Sequence, residues 1–154
     1  MIGKYAFTIQ PHYPHLNKID VLIWESFIRG NPGFFDSVDY DVKIGKGSSF
    51  LPGTSEKYES DYQVLTQKKL DVVGYRNSEI WLIEVKPQAG SQALGQILTY
   101  EKLYKETFNP VYPVHKCVVT TFLKDEYDAV YHKFGVLIME AGESPQTSGY
   151  REIP

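Results

Sequence analysis

The chain has 154 residues, a formal net charge of −3 and a single cysteine, Cys117. An apolar content of 42% excludes a disordered chain and suits one domain with one core. The lone cysteine excludes a disulfide framework and a cysteine zinc site, and no apolar run has membrane-spanning length. We therefore expect an intracellular, cytoplasmic protein (or one in the host cytoplasm if a phage encodes it) that contacts no membrane.

A helix is predicted from Asn17, a good cap, to about residue 29, before Gly30-Asn31-Pro32-Gly33. Glu25 stands beside the apolar stripe of this helix, so it either borders solvent or points into a site. Asp20 near the helix start is explained by the helix dipole.

Two histidines precede this helix. His12 and His15 could suggest a metal pair, but Pro14 separates them and no further ligands adjoin, so we expect no metal site there. Residues 34–44 alternate between apolar and polar with a period of two, which indicates a strand with one wet face. Asp39 and Asp41 are therefore interpreted as solvated strand charges. The long connection 45–61 follows, and residues 62–66 are predicted to begin the next strand.

A β-hairpin is predicted where two apolar runs, 70–75 and 80–85, flank the turn-prone residues 76–79. With the turn centred between Asn77 and Ser78, the facing pairs are Tyr75–Ile80, Val73–Leu82, Asp71–Glu84 and Lys69–Lys86. Like charges that face each other destabilise a sheet, so two carboxylates side by side imply a shared proton or a bound cation. Lys86 lies on the same face as Glu84, because side chains alternate along a strand.

The rest of the chain predicts a helix from Gly90-Ser91 to about residue 107, a buried strand at 114–121, a helix at 124–134, a strand at 136–139 and a tail at 141–154. Gln96 and Tyr100 are spaced i, i+4 and share one face of the first of these helices. The order is helix, three strands, helix, strand, helix, strand, which predicts an α/β fold around a mixed sheet.

These residues carry a resemblance. Asp71, twelve intervening residues and then Glu84-Val85-Lys86 resemble the core of the PD-(D/E)XK nuclease superfamily, with Leu70 in place of the proline. Gln96-Ile97-Leu98-Thr99-Tyr100 resembles the QxxxY motif of exonuclease-like branches. The element order from about 17 to 121 also matches the αβββαβ core of that superfamily, with a helix and a strand appended. The resemblance implies one nuclease-like domain, with a core at about 17–140.

The resemblance implies a metal-dependent nuclease that hydrolyses DNA. Its cleavage is expected to be directed by DNA structure or by DNA ends, in replication, recombination or repair. Asp71, Glu84 and the carbonyl of Val85 would bind Mg²⁺ or Mn²⁺, with Glu25 completing the site and Asp20 as its competitor. Lys86 would orient or activate a water. Gln96 and Tyr100 would position the substrate or Lys86.

DNA is the expected partner. Lys68 and Lys69 lie beside the proposed site, and Lys102 and Tyr100 extend the contacts along the helix, whereas Lys43, Lys46 and Lys57 are better explained as ordinary solvated lysines. A homodimer is expected, because one site per chain cuts both strands of a duplex most simply as a pair. The alternative function is a non-catalytic nucleic-acid-binding or protein-interaction module that kept the fold. Loss of the catalytic residues would mark such a module, and here Asp71, Glu84 and Lys86 are all present.

Overall fold

The computed structural model describes residues 2–47 and 66–141, and the elements follow the predicted order. The elements are α1 (Lys18–Gly30), β1 (Ser37–Ile44), β2 (Lys68–Arg76), β3 (Glu79–Lys86), α2 (Ser91–Phe108), β4 (Val114–Thr120), α3 (Asp125–Lys133) and β5 (Val136–Glu140). Most of the predicted connection 45–61, residue Lys57 and nearly all of the tail 141–154 lie outside the described residues. So does the predicted strand start at 62–66, apart from Thr66, which is helical.

The five strands form one mixed sheet in the order β1-β2-β3-β4-β5. β2 is antiparallel to both β1 and β3, whereas β3, β4 and β5 run parallel to one another. The α/β class and the restriction-endonuclease-like αβββαβ arrangement, with a helix and a strand appended, are therefore confirmed.

Helices cover both faces of the sheet. α1 packs on one face in an aromatic cluster, and α2 and α3 pack on the other face in a mainly aliphatic one. The first cluster includes Phe7, Trp24, Phe27, Phe35 and Trp81. No helix in the described ranges is long and apolar enough to cross a lipid bilayer.

The start of α1 is fixed by its cap. The Asn17 side chain accepts the Asp20 backbone N–H at 2.9 Å, which satisfies one of the free donors of the first turn. Trp24, fully buried, donates its indole N–H to the Tyr40 hydroxyl at 2.9 Å and ties the helix to β1. The predicted bounds of this helix are confirmed. Its first turn lies near Asp71 of β2, because His15, three residues before Lys18, has its Nε2 3.8 Å from Asp71 Oδ1.

The hairpin β2–β3 has the predicted register. Asn77 and Ser78 both have positive φ, 48° and 61°, as the two central residues of a type I′ turn require. Tyr75 pairs with Ile80 and Val73 with Leu82, as predicted.

The ladder between β2 and β3 ends at Val72–Ile83. Beyond that point β2 pairs only with β1, so Lys69 lies opposite Lys43 and not, as predicted, opposite Lys86. Lys86 pairs with Thr120 of β4 instead. The prediction failed because it extended the hairpin past the point where its two strands separate.

Gly74 is the position of β2 that tolerates no side chain. A Cβ built on Gly74 would lie 2.6 Å from Cε1 of the buried Phe35 ring. We expect Gly74→Ala to lower the free energy of unfolding by about 1–3 kcal/mol, because the packed ring has no room to move. Urea unfolding measures the change.

The matched control is Gly95→Ala in α2, where an added Cβ meets nothing within 4 Å. This change should raise the free energy of unfolding by about 0.5–1 kcal/mol, since alanine favours a helix interior. A Gly74→Ala variant as stable as the wild type would contradict the close packing described above.

Candidate active site

A pair of buried carboxyl groups lies where β2 and β3 separate. Asp71 and Glu84 are 8% and 3% exposed. One oxygen of Asp71, Oδ2, accepts the backbone N–H of Val85 at 2.9 Å. A side chain therefore takes the place of a main-chain acceptor at this point, and the two strands part around it.

The pair is short of positive charge. Burial raises the pKa of both carboxyl groups, and for Glu84 the neighbouring Asp71 raises it further. Among the described residues, Glu84 Oε1 is buried and accepts no hydrogen bond. A buried acceptor without a donor is unfavourable, so this oxygen is available to a cation or a proton.

Lys86 and the Val85 carbonyl complete this end of β3. The positive charge of Lys86 lowers the pKa of Asp71 and of Glu84. Lys86 also lines a cavity of about 240 Å³ together with Lys124 and the first residues of α2. Because the N–H and C=O of one strand residue point to the same side, the Val85 carbonyl faces the gap beside Asp71.

α2 contributes the two predicted residues of the motif spaced i, i+4. Burial raises the pKa of the Tyr100 phenol, and Glu84 and Asp71 raise it further, which places this ring near the carboxyl pair. Gln96 is half-buried, and its Oε1 has no hydrogen-bond donor among the described residues. Both side chains thus come from the helix that covers the Glu84 face of the sheet.

α1 brings Asp20, and not Glu25, to the carboxyl pair. Burial first and Asp71 second raise the pKa of Asp20 to about 6. Glu25 instead accepts the Tyr13 hydroxyl at 2.9 Å and lies 3.8 Å from Arg29. Five residues of helix turn the chain about 140° beyond a full turn, so the two carboxylates lie on different faces of α1.

Two residues that the sequence interpretation set aside also lie at the site. His15 Nε2 is 3.8 Å from Asp71 Oδ1, and His15 Nδ1 is 3.7 Å from Asp41 Oδ1. His15 and Asp41 both have positive φ, 71° and 54°, a conformation that non-glycine residues seldom adopt. Such backbone strain concentrates at functional sites.

Neither residue had a local signal in the sequence. His15 was set aside because no ligand adjoins it, yet its neighbours in space come from β1 and β2. The alternation of β1 predicts Asp41 as a solvated strand position, but its two neighbours pair with Val72 and Leu70, the residues on either side of Asp71. That register could not be read from sequence, because the connection between the strands leaves it open.

The lysines predicted to contact nucleic acid lie in three settings. Lys68 is exposed opposite Ile44, and Lys69 is half-buried opposite Lys43. Lys102 forms an i, i+4 ion pair with Glu106 on the exposed side of α2.

The donor set fits a hard cation that also binds substrate. No group of three or more His, Cys, Asp or Glu side chains in residues 2–47 and 66–141 is arranged to hold a metal ion alone. Mg²⁺, however, is usually held by one or two carboxylates, with water and substrate phosphate oxygens as its other ligands. Asp71, the orphaned oxygen of Glu84 and the Val85 carbonyl match that pattern.

No known protein-family model matches the chain, and no curated protein matches it. Solved structures with a similar fold include a protein from Vibrio cholerae, 12% identical with a TM-score of 0.48, aligned over 84% of this chain and 35% of that one. A repair endonuclease from Pyrococcus abyssi is 16% identical with a TM-score of 0.46, over 86% of this chain and 49% of that one. A protein of unknown function is 13% identical with a TM-score of 0.41, over 71% and 52%.

The chain spans between about a third and about a half of the length of these proteins. All three TM-scores lie below 0.5, so the description of the site rests on the geometry of this chain.

The raised pKa values make the metal-free protein less stable as the pH rises. The native carboxyl pair keeps a proton that the unfolded chain releases. Its contribution to stability is therefore complete below the ordinary carboxyl pKa of about 4 and is lost as the pH rises through the raised pKa. Glu84→Gln keeps the shape and removes the charge, so we expect a higher Tm at pH 7 and little change near pH 4.

The gain should be about 1.4 kcal/mol for each unit by which folding raises the pKa. Thermal unfolding in EDTA across this pH range measures it. Glu126→Gln, on the exposed first turn of α3, is the control and should show no such pH dependence. A Glu84→Gln variant with the wild-type pH profile of Tm would show that folding does not raise the pKa of Glu84.

Proposed function

We propose that this protein is a metal-dependent nuclease that hydrolyses phosphodiester bonds of DNA. The observation that carries the proposal is the buried Asp71–Glu84 pair, short of donors, with Lys86 two residues along the same strand. Two carboxylates suited to a hard cation, next to a lysine suited to a phosphate or a water, are the groups that phosphodiester hydrolysis needs.

Asp71, Glu84 and the Val85 carbonyl would hold Mg²⁺ or Mn²⁺, and Asp20 and His15 are two further groups beside Asp71 that could add to them. When bound, the cation lowers the pKa of a water and neutralises charge on the phosphate. The Val85 N–H keeps Asp71 oriented for this role through its hydrogen bond. Glu25, the residue first expected here, would instead support α1 through Tyr13 and Arg29.

Lys86 would hold the attacking water or stabilise the negative charge that develops on the phosphate oxygens. In the hydrolysis the water oxygen forms a bond to phosphorus as its proton passes to the solvent. The bond from phosphorus to the sugar oxygen breaks, and that oxygen takes up a proton from the solvent to become a hydroxyl. Tyr100, near the carboxyl pair, and Gln96, with a free acceptor oxygen, would position the substrate or Lys86.

The proposal extends to the type of cleavage, the branch of the superfamily, the oligomeric state and the compartment. A site whose groups contact the phosphate and not the bases suits cleavage directed by DNA structure or by DNA ends, in replication, recombination or repair. Gln96 and Tyr100 match the QxxxY branch. A homodimer would place two such sites on a duplex. The compartment proposed is the cytoplasm.

The experiment is a cleavage panel of single-stranded, duplex, flap, nicked and four-way-junction DNA together with RNA. Each substrate is incubated with Mg²⁺, with Mn²⁺ and with EDTA. Cleavage that EDTA abolishes supports the proposal, and the preferred substrate identifies the class. A folded protein that binds no divalent cation by calorimetric titration and cuts nothing would instead be the non-catalytic binding module.

The three central residues can be tested separately. Asp71→Asn, Glu84→Gln and Lys86→Ala should each lower the rate of cleavage by about 100-fold or more, because each removes charge stabilisation at the phosphate. Circular dichroism should show a native fold in each variant. Full metal-dependent cleavage by any one of them would remove that residue from the site.

Substitutions of Asp20 and of Glu25, the two acidic residues of α1, should have different effects on cleavage and on stability. Asp20→Asn should lower cleavage about tenfold or more with little loss of stability, because Asp20 responds to Asp71. Glu25→Gln should keep most of the cleavage and lower the free energy of unfolding by about 1 kcal/mol, because it weakens the contacts with Tyr13 and Arg29. The opposite pattern would restore Glu25 to the metal site.

A further inference from the structure

Two lysines face each other directly across the β1–β2 ladder. Lys43 of β1 pairs in register with Lys69 of β2. Like charges at facing positions destabilise a sheet, since their Cβ atoms are only about 5 Å apart. Among the described residues, no carboxylate lies within ion-pair distance of either lysine. Neither ammonium group is therefore neutralised by an ion pair with a described residue.

The lysine pair lies on the face of β1 and β2 opposite to α2, whereas Glu84 lies on the face that α2 covers. Val42, Ile44 and Leu70 pack with the α2 cluster, so the residues between them point to the opposite face. Along each strand the lysine is two residues from an aspartate, Asp41 on β1 and Asp71 on β2. His15, which contacts both aspartates, lies between Tyr13 and Leu16 in the chain, and both of these pack in the α1 cluster on that same face.

Two pairs of like charge thus lie in succession along the same two strands. Asp41 and Asp71, which both lie beside His15, come first, and the paired Lys43 and Lys69 follow two residues, or about 7 Å, along the strands. An open groove of about 540 Å³ runs beside β1, and its charged lining consists of Lys4, Lys43, Asp39 and Asp41. Lys43 is exposed at this edge of the sheet.

We infer that Lys43 and Lys69 together bind a backbone phosphate of the nucleic-acid strand, adjacent to the phosphate held at Asp71. The inference rests on the proposed function and adds to it how the strand is held. A phosphate between the two ammonium groups offsets the repulsion that the free protein carries. Because a phosphate carries no sequence information, this contact is expected to act equally on all sequences.

The first test is the stability of the free protein. Lys43→Gln and Lys69→Gln should each raise Tm by about 2 °C, because each removes the repulsion. The double variant should be no more stable than either single variant, because one substitution already abolishes the interaction. Lys133→Gln, an exposed lysine of α3, is the control and should give no increase.

The second test is binding of the full-length protein to single-stranded DNA in EDTA, measured by fluorescence anisotropy from 50 to 300 mM salt. Each of the two lysine substitutions should weaken binding about fivefold at 0.1 M salt and lower the slope of log Kd against log salt by about 0.7. Oligonucleotides of two unrelated sequences should lose the same factor. Lys133→Gln should leave both quantities unchanged.

Opposite shifts in the same variants, higher Tm and weaker DNA binding, would establish the pair as a phosphate site. Unchanged DNA binding in both variants would overturn the inference, and the proposed nuclease would stand if the wild type still cleaves DNA in the panel. A wild-type protein that binds no DNA would overturn the inference as well, while the cleavage panel decides the nuclease separately.

Discussion

The hydrogen bond from the Val85 N–H to the Asp71 carboxylate is the contact on which the candidate site depends. At this position an antiparallel hairpin would ordinarily exchange main-chain hydrogen bonds. A side-chain oxygen accepts the N–H instead, so the ladder ends after Val72–Ile83 and a gap opens between β2 and β3. Both strands remain held from outside, β2 by β1 and β3 by β4. The gap is therefore fixed in shape although the main chains of its two walls no longer bond to each other.

Several unfavourable features are collected around that gap. Two carboxyl groups are buried side by side, and His15 and Asp41 have left-handed backbone conformations. Each feature reduces the stability of the free protein. The aromatic cluster under α1 and the aliphatic cluster under α2 provide the compensating burial on the two faces of the sheet. A rigid sheet of this kind can hold a strained site in place.

The sequence predicted what local patterns determine. The turn residues Asn77 and Ser78 fixed the hairpin register, and with it the pairing of β2 and β3 up to the site. Asp20 and Glu25 both fitted the helix pattern, and only the packing of α1 against the sheet shows which one faces Asp71. His15 and the Lys43–Lys69 pair were not predictable, because they arise from contacts between segments whose alignment no local pattern encodes.

The type I′ turn at Asn77–Ser78 lies at the far end of the hairpin from the carboxyl pair, six residues or about 20 Å along β2 from Asp71. Exposed turns of this kind are usually where evolution inserts and deletes residues freely. Here one residue added to or lost from the turn would shift the pairing of β2 and β3 by one position. The side chains of one strand would then point to the opposite face relative to those of the other, and Asp71 would be separated from Glu84. The length of a distant surface turn is therefore under the same selection as the chemistry, and lineages that diverge in this protein should vary the turn by substitution and not by insertion.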